Sequence, residues 1–246
     1  MADSTPLKIL CIGDSLTEGY SCFGLQFTPY GDTVKEVLQK RWPDREIEVI
    51  TDGVSGDLVT EPGGRFMERL KSHFIELPYP FLGPLHVIFL PPTDLSTVPS
   101  DPPITHTIIL GGTNDIAVSR AVSDIYSTIQ AMTTLATNHS SHVLLLTVPE
   151  CHAKTKRVED EREELNELLL TRLGGWKGVS TYDLKSNVPY HDMDEEQREM
   201  FWDDGLHFTE EGYKLIGELV GRRLVEVIEQ GNTGENGGET DPVDEE

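Results

Sequence analysis

Basic residues are scarce in this chain: 20 Lys and Arg stand against 43 Asp and Glu, a formal net charge of −23 over 246 residues. Phosphate recognition needs clustered cations, so nucleic acid and anionic membrane surfaces are excluded as expected partners. Cysteine is equally sparse. The three present, Cys11, Cys22 and Cys151, suit neither a disulfide framework nor a zinc site, so no metal is expected. No apolar run approaches the roughly 20 residues that a membrane-spanning helix needs, so no stable membrane insertion is expected. Met1 to Pro6 is too short and polar for a secretory signal, which points to a cytoplasmic protein.

What is present is a regular alternation of apolar strand-like runs and helical patterns. This implies an α/β fold with a parallel sheet covered on both faces. Strands are expected at Ile9–Ile12, Glu46–Thr51, Thr105–Leu110, Val143–Val148 and Val179–Asp183. Between them, apolar residues recur at helical spacing. The stripes are Val34, Val37 and Leu38; Phe66, Met67, Leu70 and Phe74; Val118, Val122, Ile125, Ile129, Met132 and Ala136; and Leu165, Leu168 and Leu169. A last helix begins near Thr209, with Tyr213, Ile216, Leu219, Val220 and Leu224 to dock it. Leu77 to Pro103 carries eight prolines and breaks the rhythm, because proline continues neither a central helix nor a central strand. From Gln230 onward the chain holds six acids and no bases. The expected organisation is one domain over residues 1–230, with a proline-rich insertion at 77–103 and a disordered acidic tail at 231–246.

Three polar turns follow three of these strands. Gly13-Asp14-Ser15-Leu16 follows the first, Val54-Ser55-Gly56-Asp57 the second, and Gly112-Thr113-Asn114-Asp115 the third. In a parallel sheet all three lie along one edge, where open α/β sheets place their ligands. A serine hydroxyl needs a base to become a nucleophile. His207, within Asp204-Gly205-Leu206-His207 just before the final helix, is the candidate. Asp204, three residues upstream, can steady its ring in a tight turn, completing a triad. The N–H groups of Ser15 and Gly56 and the amide of Asn114 are suitable oxyanion donors. Each fragment also has a plainer reading, since Asp, Ser and Asn are common turn and cap formers.

Taken in order, the four blocks resemble those of the SGNH hydrolase superfamily, the GDSL-type esterases and lipases. The resemblance implies a three-layer α/β/α sandwich with a flavodoxin-like, parallel five-stranded sheet. It also implies Ser15 as nucleophile, Asp204 and His207 as its partners, and Gly56 and Asn114 as oxyanion donors with Ser15. The implied activity is hydrolysis of a carboxylic ester of a small or short-chain acyl group through an acyl-enzyme, with no cofactor. Thr51 departs from the family, which often has asparagine ahead of the glycine block. The alternative is a catalytically silent interaction protein on the same scaffold, acting through its acidic tail. A nucleotide site in the Gly13–Gly19 turn is disfavoured, because Asp14 and Glu18 repel phosphate and no lysine is present.

Overall fold

The computed structural model describes residues 5–74 and 102–234. Its centre is a five-stranded parallel sheet. Along the chain the strands are β1 (Leu7–Gly13), β4 (Ile47–Gly53), β5 (His106–Leu110), β6 (His142–Leu146) and β7 (Val179–Tyr182). A two-stranded hairpin, β2 (Tyr20–Ser21) and β3 (Gln26–Phe27), precedes β4 and stands apart from the sheet. The sheet order is β4-β1-β5-β6-β7. The chain thus steps outward from β1 to β4, then returns across β1 to β5, and this reversal opens a crevice at the carboxyl end of β1.

Every residue of β1 is buried, because the strand is central and covered on both faces. Successive side chains point to opposite faces. Leu7, Ile9 and Cys11 join the core against α2 (Tyr30–Arg41) and α9 (Glu210–Gly234), with Val34, Leu38, Tyr213, Ile216 and Val220. Leu10 and Ile12 join the other core against α3 (Phe66–Phe74), α5 (Val122–Asn138) and α6 (Lys156–Leu168). β5 and β6 divide in the same way: Ile108 and Leu144 face the first core, Ile109 and Leu145 the second. The result is the expected three-layer α/β/α sandwich.

Four short helices were not visible as apolar stripes: α1 (Ser15–Glu18), α4 (Thr113–Ala117), α7 (Leu184–Asn187) and α8 (Glu195–Phe201). They are set by caps and turns. The Asp194 carboxylate, for example, accepts from Gln197 N and forms a capping box at the start of α8. Val118 departs from its expected stripe. It lies outside α5 and is 59 % exposed, because Ser119 takes a left-handed φ of 61° that breaks the helix between α4 and α5. Its spacing from Val122 mimics a helical turn. The last helix extends to Gly234, four residues into the stretch expected to be a disordered tail, and residues 235–246 lie outside the described ones. So do residues 77–101 of the proline-rich insertion. Among the described residues no helix is long and apolar enough to cross a membrane.

Candidate active site

β1 ends at Gly13, and the chain turns at once into α1. There is no room for a side chain at the turn: a Cβ on Gly13 would stand 2.0 Å from Thr17 Oγ1. Asp14 caps the helix, its carboxylate accepting from Leu16 N at 3.0 Å. Burial pushes Asp14 up to about 7, against the lowering effect of that hydrogen bond. Ser15 opens the helix, is itself 6 % exposed, and sits at the crevice.

From the far end of the chain, a tight loop closed by an isolated bridge between Trp202 and Phe208 meets it. Within this loop one carboxylate oxygen of Asp204 accepts from Leu206 N and His207 N, at 3.0 and 2.8 Å. The other lies 2.8 Å from His207 Nδ1. The turn that fixes the aspartate therefore also aims it at the imidazole, which is the physical reason the three-residue spacing works. Gly205 allows the turn: its φ is 81°, and a Cβ there would stand 2.7 Å from His152 Cβ. Burial alone would raise the Asp204 carboxyl, but the hydrogen bonds from His207 and Leu206 outweigh it and hold the group below its ordinary value. His207 Nε2 lies 2.9 Å from Ser15 Oγ, and the Tyr20 ring packs against the imidazole at 4.6 Å between centroids. Three residues spread over 192 positions of sequence thus form one hydrogen-bonded line.

Asn114 lies in α4, directly after β5. Its Nδ2 donates to the main-chain carbonyl of Asp57 at 3.0 Å and lies 3.4 Å from the Asp14 carboxylate. Asn114 is thereby tied to both neighbouring turns. Gly56 sits in the loop after β4 with a φ of 77°, and a Cβ there would meet nothing within 4 Å. Glycine is favoured at this position by the backbone conformation, not by crowding.

The loop carrying Gly56 is anchored by residues whose part in this was not foreseen. Thr51, the departure from the family pattern, packs against Gly31 of α2. Instead the Glu18 carboxylate accepts from the N–H (2.9 Å) and hydroxyl of Ser55. Asp115, fully buried, accepts from Val59 N, Thr60 N and the Thr60 hydroxyl at 2.8, 3.0 and 2.7 Å. Arg69 of α3 reaches in from the other side. Its guanidinium donates to Gly13 O at 2.7 Å and to Asp52 Oδ1 at 3.0 Å, and its Nε lies 3.2 Å from Asp57 Oδ2. A signal for Arg69 existed: it sits three residues after Phe66 on the buried stripe of α3, where an unpaired cation would be costly.

A cavity of about 310 Å³ opens beside this line. Its walls include Asn114 and Asp204 together with apolar Ile116, Val148, Pro149 and Leu206.

Residues 11–215 match the model of the GDSL-like Lipase/Acylhydrolase family. No curated protein matches the sequence. Among solved structures, the lipase/acylhydrolase from Enterococcus faecalis is 22% identical, with a TM-score of 0.61, covering 90% of this chain and 96% of that one. A catalytic mutant of the acetylxylan esterase Axe2 from Geobacillus stearothermophilus is 16% identical with a TM-score of 0.61, covering 91% and 96%. A carbohydrate acetylesterase family member from Sinorhizobium meliloti is 14% identical with a TM-score of 0.59, covering 89% and 98%. At these identities the solved structures speak for the fold, and the family model speaks for the lineage. The chain belongs to the GDSL-like lipase/acylhydrolase family of hydrolases.

Proposed function

We propose that this protein is a serine esterase that hydrolyses a carboxylic ester of a small acyl group through an acyl-enzyme. Ser15 Oγ attacks the ester carbonyl while His207 Nε2 takes its proton. Asp204 holds the Nδ1–H and stabilises the imidazolium that results. The developing oxyanion is met by the amide of Asn114 and the N–H groups of Ser15 and Gly56. The Ser15 N–H is the first of its helix and so has no partner within it. His207 then returns the proton to the leaving alcohol, activates a water for attack on the acyl-enzyme, and passes that water's proton back to Ser15.

The observation that carries this reading is the line Ser15–His207–Asp204, with contacts of 2.9 and 2.8 Å. The modest cavity and the acetylesterases among the similar structures favour a small acyl group on a small-molecule ester. The test is hydrolysis of p-nitrophenyl acetate and butyrate by the wild type and by Ser15→Ala. Loss of the nucleophile should lower kcat by several orders of magnitude, and a fluorophosphonate probe should label the wild type only. Equal rates for the two proteins would end the proposal.

A further inference from the structure

Helix α6 carries an acidic run over residues 159–164, but one residue in that run turns inward. Arg162 is only 3 % exposed. One helical turn on, Asn166 fixes the helix to the end of β6, donating to Val148 O at 2.9 Å and accepting from Val148 N at 2.7 Å. This docking holds Arg162 in the wall of the cavity beside the candidate catalytic line, next to Cys151 and Val158.

The cation is poorly matched where it lies. Its Nη2 donates to the Cys151 sulfur at 3.1 Å, and a thiol is a weak acceptor. Its nearest carboxylate, Glu159, stands 3.8 Å from Nη1, beyond hydrogen-bond distance. A guanidinium offers five N–H donors in a fixed fork, and burying one without full compensation is costly. A chain with a net charge of −23 draws no anion by its overall field, so a cation kept in this wall acts at short range. The surrounding wall is largely apolar, with Ile116, Val148 and Val158 beside Asn114 and Asp204 of the candidate site. A largely apolar cavity with a planar cation in its wall suits a short hydrocarbon chain that ends in a carboxylate.

We propose that Arg162 is a specificity-determining residue, and that the cavity takes an acyl group with a terminal carboxylate, the hemi-ester of a short dicarboxylic acid. This rests on the esterase reading above and narrows it to a substrate class. Monoethyl glutarate and ethyl valerate have acyl chains of equal length and differ at the terminal group, so they isolate the contact. With ethanol release as the readout, the wild type should favour the hemi-ester in kcat/KM by about tenfold to a hundredfold, the range of a charge-assisted hydrogen bond. Arg162→Met should erase that ratio, chiefly through KM for the hemi-ester, and Arg162→Lys should restore part of it. Calorimetry on the Ser15→Ala protein separates this proposal from the esterase reading. Binding of monoethyl glutarate that Arg162→Met abolishes supports the pocket assignment even if no ester is turned over. Equal binding of the two esters, or a wild-type rate ratio that Arg162→Met leaves unchanged, overturns it.

Discussion

Arg69 and Asp57 form a buried ion pair, 3.2 Å between Nε and Oδ2, that ties α3 to the loop carrying Gly56. The same guanidinium holds Gly13 O, two residues before Ser15, and Asp52 at the end of β4. Asp57 in turn orders its own loop, accepting from Leu58 N and Arg65 N at 2.9 Å each, while its carbonyl receives the Asn114 amide. Arg69 therefore ties the turns of Gly13 and Asp57 directly, and the Asp57 carbonyl extends the link to Asn114.

Arg69→Met should act as a positioning defect. Asp57 loses its buried cation and Asp52 keeps only His73 among its side-chain partners, so stability should fall by about 3–5 kcal/mol, the cost of breaking a buried pair from one side. In protein that remains folded, kcat should drop while KM changes little. Arg69→Lys, which keeps the charge but not the fork, should recover stability better than rate. Urea unfolding alongside steady-state kinetics reads both, and a variant with wild-type kcat would remove Arg69 from this role.

Asp204→Asn keeps the oxygen that accepts from Leu206 N and His207 N but offers an amide to the imidazole, favouring the wrong tautomer. A fall in kcat of roughly four orders of magnitude is expected, with an unchanged circular dichroism spectrum. A loss below tenfold would contradict the proposed role.

Asn114→Ala removes one proposed oxyanion donor and should lower kcat by about a hundredfold to a thousandfold. Asn114→Asp keeps the size of the side chain but replaces the donor with a carboxylate, and should be no better. Rates on p-nitrophenyl acetate for both variants provide the check.

Gly56→Ala introduces no clash, since nothing lies within 4 Å of the added carbon. Its cost should come from the left-handed φ of 77° alone, about 1–2 kcal/mol. The expected result is a lower Tm together with reduced kcat. An unchanged Tm would mean that the loop relaxes freely to another conformation.

Two groups shifted by their surroundings give opposite pH dependences. Burial, with a further contribution from His142, lowers His106 to about 3. Below its unfolded value near 6.5 the unfolded chain takes up the proton first, so this residue's contribution to stability is lost as pH falls toward 3. Asp14, raised to about 7 by burial, behaves in reverse: its contribution is full below about 4 and is lost as pH rises through 7. In urea titrations between pH 4 and 7, His106→Asn should remove a loss on acidification and Asp14→Asn a loss on alkalinisation. The same slope in either variant as in the wild type would exclude that residue.

The amino-acid sequence by itself determined the layers and the chemistry on offer. β1, β5 and β6 are continuous apolar runs because both faces of a central parallel strand are buried, and their period-two division between the two cores follows from that. Ser15, Asn114, Asp204 and His207 were legible because each sits in a short block whose local turn sets its direction; Asp204 and His207 meet within one loop. Only the tertiary structure decided what depends on distant partners. Val118 left its stripe through the backbone at Ser119. The left-handed backbone at Gly56 is set by the loop around it. Arg162 reads as an ordinary charge within an acidic run and Arg69 carries only its place on an apolar stripe, yet both lie inside. A cation's value is set by the acceptors that surround it, and those arrive from other strands and loops: Gly13, Asp52 and Asp57 around Arg69, and little more than a thiol around Arg162.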